Sequence, residues 1–449
     1  MARTVISNGN LVMPRIGVIK ADLVLDQGKI LSITSDTSQV EADQRIDAED
    51  KFVFPGVIDC HTHFGMGSKE TDYATESVSA LVGGVTTVIS YELQSTPYED
   101  TFESWRAHAQ SQSFVDFGFH YGMVTDQQIN SFEVYCKDQG VSSFKFFMNF
   151  RGEEGAYLGL LGIDDGVMYD LFKKAGMMPS TVVAVHPENI EVVWRKRKEI
   201  EESGRNDLRA WDECRPDFVE AENIRRAMYF AEFTGAKLYI PHISCGMGLN
   251  EALEYRKRYK KIFLETCPHY LTHFSNDPLE EKGKVNPPLR SSEDAKVLWQ
   301  GLIDGSIDVV ASDHVPRTLD KKRGGIWKAS AGFPGCATIL PVLLSEGYHK
   351  RGLSLERISE LVTYNPAKIF NLSDKKGNIS VGLDADLTIV DLNREELISS
   401  AKLQSNAGYS LYEGWTVKGW VEQTLVRGDL VMKEGRLVKD RPQGCYLMR

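Results

Sequence analysis

Cysteine is sparse in this chain. Seven residues are scattered at positions 60, 136, 214, 245, 267, 336 and 445, and no two form a Cys-x-x-Cys pair. That pattern excludes a disulfide framework and a zinc knuckle, and implies reduced thiols in the cytoplasm. No uninterrupted apolar run is long enough to cross a bilayer. The opening Met-Ala-Arg-Thr-Val-Ile-Ser-Asn-Gly-Asn lacks the apolar core of a signal peptide, so a cytoplasmic location and no membrane partner are expected. Positive charge is also short: 52 Lys and Arg stand against 63 Asp and Glu, a net charge of -11. Nucleic acid is excluded as a partner, because phosphate binding requires a basic face. The runs Arg195–Lys198 and Arg256–Lys261 are flanked by acidic residues and read as solvated helix faces. There is no Gly-x-Gly-x-x-Gly turn after the first barrel-type strand, no Gly-x-Ser-x-Gly elbow and no fixed-period repeat. These absences weigh against a dinucleotide-binding open sheet and a serine hydrolase.

What is present is an ordinary globular composition, 42% hydrophobic and 26% charged over 449 residues. That length exceeds the roughly 250 residues of a lone (β/α)8 barrel. Residues 1–51 read as short strands broken by Gly, Asn and Asp turns, and residues 373–449 resume the same style. The two ends are expected to build one small β-sandwich, the second part carrying a C-terminal tail. Between them, residues 52–372 alternate strands with helices. Eight strand candidates fall at 52–60, 85–91, 116–123, 142–147, 181–186, 237–243, 261–267 and 307–312. Helical patterns such as Asp165–Ala175, Ala221–Thr234, Leu249–Tyr259 and Ser292–Gly301 separate them. The fold class is therefore α/β, a TIM-type (β/α)8 barrel whose active site lies at the C-terminal strand ends.

Chemistry collects at those ends. Strand one finishes in His61-Thr-His63, and side chains two apart on a strand face the same way. Strand four carries Lys145 among Phe144, Phe146 and Phe147; strand five ends in His186, strand six in His242 and strand eight in Asp313. Taken singly, a strand-end His is a polar core residue and a strand-end Asp a helix cap. Lys145 resists so ordinary an explanation, because an inward ammonium among phenylalanines is costly to bury unpaired. Carbon dioxide added to its amine would give a carbamate whose two oxygens can bridge two metals. Four His, one Lys and one Asp together make a complete ligand set for two metals.

The arrangement resembles the amidohydrolase superfamily, in particular its cyclic-amidase branch of hydantoinases, dihydropyrimidinases, allantoinases and dihydroorotases. Pro55-Gly-Val-Ile-Asp-Cys-His-Thr-His63 matches the metal-binding first strand, and Phe144-Lys145-Phe-Phe-Met148 the carboxylated-lysine strand. Val185-His-Pro-Glu-Asn189, Glu265-Thr-Cys-Pro-His-Tyr-Leu271, Asn286-Pro-Pro-Leu-Arg290 and Ser312-Asp-His-Val-Pro316 follow in family order. Asn365-Pro-Ala-Lys-Ile-Phe370 and Gly382-Leu-Asp-Ala-Asp-Leu387 complete the pattern, so the likeness covers almost the whole chain. It implies that His61, His63 and Asp313 hold one divalent metal, that His186 and His242 hold a second, and that Lys145, as N6-carboxylysine, bridges them. Zn2+ is the expected ion, with Mn2+, Fe2+, Co2+ or Ni2+ suited to the same ligands. It also implies hydrolytic opening of a small cyclic amide or imide, Asp313 shuttling the proton, in a cytoplasmic homotetramer.

Departures from the subfamily patterns narrow the ring. Dihydroorotases place a carboxylate-gripping arginine two residues after the second ligand histidine, where this chain has Gly65. Hydantoinases and dihydropyrimidinases place an oxyanion-donating tyrosine five residues after the lysine, where this chain has Phe150, which donates nothing. Either a nearby donor such as Tyr157 or Tyr91 substitutes, or the substrate is not a standard hydantoin. Phe150, Asn286 and Gly332 are expected to contact substrate, Gly332 within the loop Lys328–Gly335 that presents backbone groups to the ring. Phe64, Phe150, Tyr157, Leu158 and Leu160 are expected to form an apolar mouth. Cys267 and His269 read as pocket wall. Arg215-Pro and Glu413-Gly-Trp-Thr-Val-Lys-Gly-Trp420 favour the hydantoinase and dihydropyrimidinase branch, with allantoinase as the alternative. Dihydroorotase and a non-catalytic assembly homologue rank lower, the latter because such relatives have lost ligands that are intact here.

Overall fold

A computed structural model describes residues 3–152, 154–156 and 163–449. Tyr157, Leu158 and Leu160 of the expected mouth lie outside the described residues.

Eight parallel strands form one curled sheet: β1 Val57–Thr62, β2 Val85–Glu92, β3 Asp116–Gly122, β4 Ser143–Phe147, β5 Val182–His186, β6 Lys237–Ile240, β7 Ile262–Thr266 and β8 Val309–Val310, neighbours in chain order throughout. At its two edges the amide of His63 donates to the carbonyl of His314 (2.8 Å) and that of His314 to the carbonyl of His61 (3.2 Å). This arrangement fits a TIM-type barrel. The two-residue alternation of a strand sorts side chains into two cores. Val183 and Val185 pack outward with the helices, whereas Val182 and Ala184 join Ile58, Cys60, Ile89, Tyr239, Val309 and Ala311 inside. Helix Asp165–Gly176 covers the outside with Met168, Leu171, Phe172 and Ala175 buried, a 3.6-residue stripe begun by Asp164, whose side chain caps the amides of Gly166 and Val167.

The two chain ends do come together. Strands Thr4–Met13, Gly17–Asp26, Lys29–Thr34, Gln44–Asp47 and Phe52–Pro55 share one nine-stranded sheet with Leu387–Leu397, Thr416–Val426, Asp429–Lys433 and Arg436–Leu437. The single strand expected over 52–60 is thereby split. Phe52–Pro55 pairs with Leu387–Val390 in this sheet, and the barrel-type strand starts at Val57. Gly56 is the crossing point, where a Cβ would lie 2.1 Å from Thr86 Oγ1. A buried ionic cluster joins the sheets: Lys376 Nζ lies 2.8 Å from Asp116 of β3, 3.2 Å from Asp384 and within bonding distance of Asp386. These three carboxylates could themselves hold a cation, and the Lys376 ammonium supplies it. The tail pairs with the start of β3, the Phe117 amide donating to the Cys445 carbonyl and the Leu447 amide to the Phe117 carbonyl (3.0 and 2.8 Å). Leu447 thus joins the interior core.

Candidate active site

All six candidate ligands, His61, His63, Lys145, His186, His242 and Asp313, line one cleft at the C-terminal strand ends. Asp313 Oδ1 lies 3.1 Å from Nε2 of both His61 and His63. Ligand atoms of these three residues all fall within 4.8 Å of one another. The His242 ring centroid is 4.7 Å from that of His186 and 5.4 Å from that of His61. Lys145, 1% exposed, sets Nζ 4.6 Å from the Tyr91 ring centroid, and no carboxylate among the described residues pairs with it.

The backbone reaches this arrangement by leaving regular geometry. Cys60 and His61 are successive yet both face the interior. The β1–β2 register explains it: Asp59 pairs with Val88 and Thr62 with Ser90, so β1 spends one extra residue over that step. A local bulge of this kind re-aims a side chain. His242 and Asp313 have φ of +42° and +49°, the left-handed region that side chains bearing a Cβ avoid. Strain of this kind persists where surrounding contacts impose it, and it concentrates at functional sites.

Glu265 of β7, quoted in the sequence only as part of a motif, is the principal residue that sequence reasoning missed. Its Oε1 accepts from His61 Nδ1 (2.7 Å) and the His242 amide (2.9 Å), and its Oε2 accepts from the Tyr239 hydroxyl (2.6 Å). Holding Nδ1–H fixes the ring and turns Nε2 to the cleft, where a bound cation in place of its proton would find the lone pair. Glu188 takes the other nitrogen of His186, Nε2, at 2.6 Å and so leaves Nδ1 to the cleft, and Arg215 anchors Glu188 at 2.8 Å. A buried carboxylate placed behind a strand-end histidine was the available signal. Arg290 is spent on Ser244 (3.0 Å), Asp212 (2.9 Å) and Glu220 (3.2 Å), which fix the chain just after His242.

The electrostatics suit a cation. Burial opposes charge on His61, yet Glu265 and Asp313 raise it to about 9. Burial lowers His63 to about 4, and lowers His186 and His242 as well. Burial likewise works against the Asp313 carboxylate, but His61 and His63 hold it well below the usual range. Burial lowers Lys145 to about 8, bringing the neutral amine that reacts with carbon dioxide within reach of neutral pH. Both ring nitrogens of His242 are buried with no hydrogen-bond partner among the described residues, and the only group facing His61 Nε2 among them is the Asp313 carboxylate. Orphaned imidazole nitrogens beside an ionised carboxylate and an unpaired lysine fit a site for divalent metal.

The cleft measures about 120 Å³, ring-sized beside the roughly 150 Å³ cavity that admits benzene. Phe150, Asn286 and Gly332 all line it, as does Tyr91, whose hydroxyl is buried without a partner among the described residues. Phe150 stacks on Phe147 with centroids 4.5 Å apart. Phe64 does not reach the mouth. It is buried edge-on against Tyr73 and His314, because the chain turns at Gly65 and folds the ring into the core. Gly65 itself has φ of +93°, and a Cβ there would lie 3.2 Å from the Trp105 ring. Lys145 is the only lysine or arginine among the described lining residues.

Comparison with known proteins agrees with this geometry. The amidohydrolase family model matches residues 233–431. An L-hydantoinase of Paenarthrobacter aurescens is 33% identical over 96% of this chain and 95% of that protein. An allantoinase of Solibacter usitatus is 35% identical over 97% of this chain and 95% of its own length. The solved dihydropyrimidinase of Brevibacillus agri superposes with a TM-score of 0.92 at 28% identity, covering 100% of this chain and 98% of that one.

Proposed function

The chain belongs to the amidohydrolase family, as a cyclic amidohydrolase of the hydantoinase and dihydropyrimidinase type, and from that premise we propose that it opens an uncharged cyclic amide or imide, a hydantoin or a dihydropyrimidine. The observation that carries the choice of ring is the lining of the cleft. It is ring-sized, it gathers six metal-type side chains, and among the described residues it offers no arginine to grip a substrate carboxylate. Gly65 and the fully engaged Arg290 speak against a dihydroorotate-like substrate for the same reason.

His61, His63 and Asp313 would hold one divalent ion and His186 and His242 a second, with carboxylated Lys145 shared between them. When bound, such ions supply Lewis acidity to a water and to an amide carbonyl. The protein's own contribution is proton management and placement. Asp313 accepts the proton of the attacking water and returns it to the ring nitrogen as the C–N bond breaks, so the ring opens to a chain bearing a carboxylate. Glu265 and Glu188 hold the imidazoles in the tautomers that keep their lone pairs on the cleft. The Tyr91 hydroxyl, which burial keeps protonated, is the free donor for the carbonyl oxygen where Phe150 has none.

The 35%-identical allantoinase supports allantoin as the second reading. The resemblance also implies zinc and a homotetramer, which elemental analysis and light scattering measure directly. The functional test is turnover by metal-loaded protein on hydantoin, dihydrouracil, allantoin and glutarimide. Ring opening of hydantoin or dihydrouracil is expected. Turnover of allantoin alone moves the assignment to the second reading, and a protein with two metals that opens none of the four refutes both.

A further inference from the structure

Next to Phe150 stands a polar residue that neither metal binding nor proton transfer uses. Asn149 is 3% exposed and lines the cleft, yet its side-chain Oδ1 is buried with no hydrogen-bond partner among the described residues. Its backbone is tightly fixed. The Met148 amide donates to the His186 carbonyl (3.1 Å), the Phe150 amide to the Phe147 carbonyl (3.1 Å) and the Arg151 amide to the Asn149 carbonyl (3.0 Å). The side chain is therefore carried by the joint between β4, which bears Lys145, and the end of β5, which bears His186. Buried amides normally find partners within the protein, so an orphan facing a cleft marks a partner that arrives with the ligand.

The chemistry of that partner follows from the amide. A primary carboxamide offers one acceptor and one donor side by side. A cyclic amide holds its own N–H and C=O cis on one edge, in the complementary order. The two can close a pair of parallel hydrogen bonds, which neither an ester nor an N-alkylated ring edge can do. The adjacent Phe147–Phe150 stack supplies a flat apolar wall and no polar atom to compete. Asn286, from the loop after β7, brings to the same cleft a second Oδ1 without a partner among the described residues.

We propose that Asn149 is a specificity-determining residue whose carboxamide reads the unsubstituted N–H/C=O edge of the ring. The proposal rests on the cyclic-amide reading given above. It selects rings by a free amide edge, whatever substituent they carry elsewhere.

The test compares dihydrouracil with its two singly N-methylated forms, on metal-loaded wild type, Asn149→Ala and Asn149→Asp. Calorimetric Kd and kcat/KM are both read, and thermal unfolding checks the fold. Asn149→Ala should weaken dihydrouracil binding about tenfold, the scale of one lost hydrogen-bonded contact. It should leave binding of one N-methylated form unchanged, so that wild-type discrimination against that form collapses. Asn149→Asp keeps the size and the acceptor but lacks the donor, and should collapse the same discrimination if the alanine variant fails to fold. Equal losses on all three rings, or no loss on any, would overturn the role of Asn149 while wild-type ring opening keeps the cyclic-amide reading intact. A wild type that neither binds nor opens any ring overturns both.

Discussion

Glu265→Gln is the sharpest perturbation of the centre that leaves every candidate ligand in place. Glu265 is fully buried and accepts three hydrogen bonds, from His61 Nδ1, the His242 amide and the Tyr239 hydroxyl. Truncation to alanine would strand all three donors, at about 1–3 kcal/mol each. The sum, about 3–9 kcal/mol, rivals the roughly 5–15 kcal/mol that keeps a typical domain folded, so loss of metal in that variant would carry no information about the site. Glutamine keeps the volume and one acceptor oxygen, enough for His61 and His242, and turns an amide towards Tyr239, whose hydroxyl can point instead to Cys60 Sγ, 3.4 Å away. What disappears is the negative charge that, with Asp313, raises His61 to about 9 and would hold a cation on its Nε2 face. Carboxylates behind ligand histidines are worth about 10–100-fold in metal affinity or activity, or about 1.4–2.7 kcal/mol. Chelator-competition titration of metal-free protein with Zn2+ should show a loss of that size, alongside a thermal transition close to wild type and a lower kcat at saturating metal. Unchanged affinity and turnover would refute the reasoning and reduce Glu265 to packing.

Lys145→Ala should lose both metal and activity, and short-chain carboxylic acids should partly restore them; two metals and full turnover in the unsupplemented variant would remove the carboxylated bridge. Asp313→Asn keeps the shape of the side chain but not its basic oxygen, so kcat should fall by roughly 10²–10⁴, and near-normal turnover with both metals bound would exclude the shuttle. Phe150→Tyr should raise kcat/KM on hydantoin or dihydrouracil, by less than the about 2.7–4 kcal/mol of a preorganised oxyanion donor; no change on rings that wild type already opens well would leave Tyr91 as the sufficient donor. Lys376→Met leaves Asp386 without its cation in the joint between the two sheets, while Asp116 keeps Arg427 and Asp384 keeps Lys29, and denaturant unfolding should register about 3–5 kcal/mol of destabilisation, whereas a neutral result would mean that Arg427 and Lys29 balance the cluster without Lys376.

The candidate ligands at the strand ends are legible because their signal is local. A histidine, lysine or aspartate that closes a β-branched or aromatic run is visible in a window of ten residues, and barrel topology then brings such ends together whatever the intervening helices contain. The alternation of sheet and helix, and the matching style of the two chain ends, are local signals too. What the sequence hid is pairwise and distant. Glu265 meets His61 across 204 positions, and the motif Glu265–Leu271 that contains it does not say which distant side chain it holds. Phe64 departs from its expected place at the mouth because an aromatic beside a strand-end histidine looks alike in sequence whether it lines a mouth or plugs a core; the turn at Gly65 decides it. The break at Gly56 was hidden by an apolar run continuous from Phe52 to Ile58, which two different sheets share.

The same contrast accounts for His61. A plain strand would send Cys60 and His61 to opposite faces, and pattern reasoning alone predicts that only one of them is inside. The register slip between β1 and β2 puts both inside, and the left-handed φ at His242 and Asp313 does comparable work at two other strand ends. Regular strands cannot bring this many polar side chains to one point, because their alternation and spacing are fixed. The site is therefore assembled from the irregular residues that terminate the strands, and the buried carboxylates behind them hold those irregularities in place. Glycine accepts the left-handed φ of such an end without a Cβ clash, so His242→Gly or Asp313→Gly should relieve backbone strain while losing the site, a separation of stability from metal affinity that unfolding and metal titration on the same variant resolve.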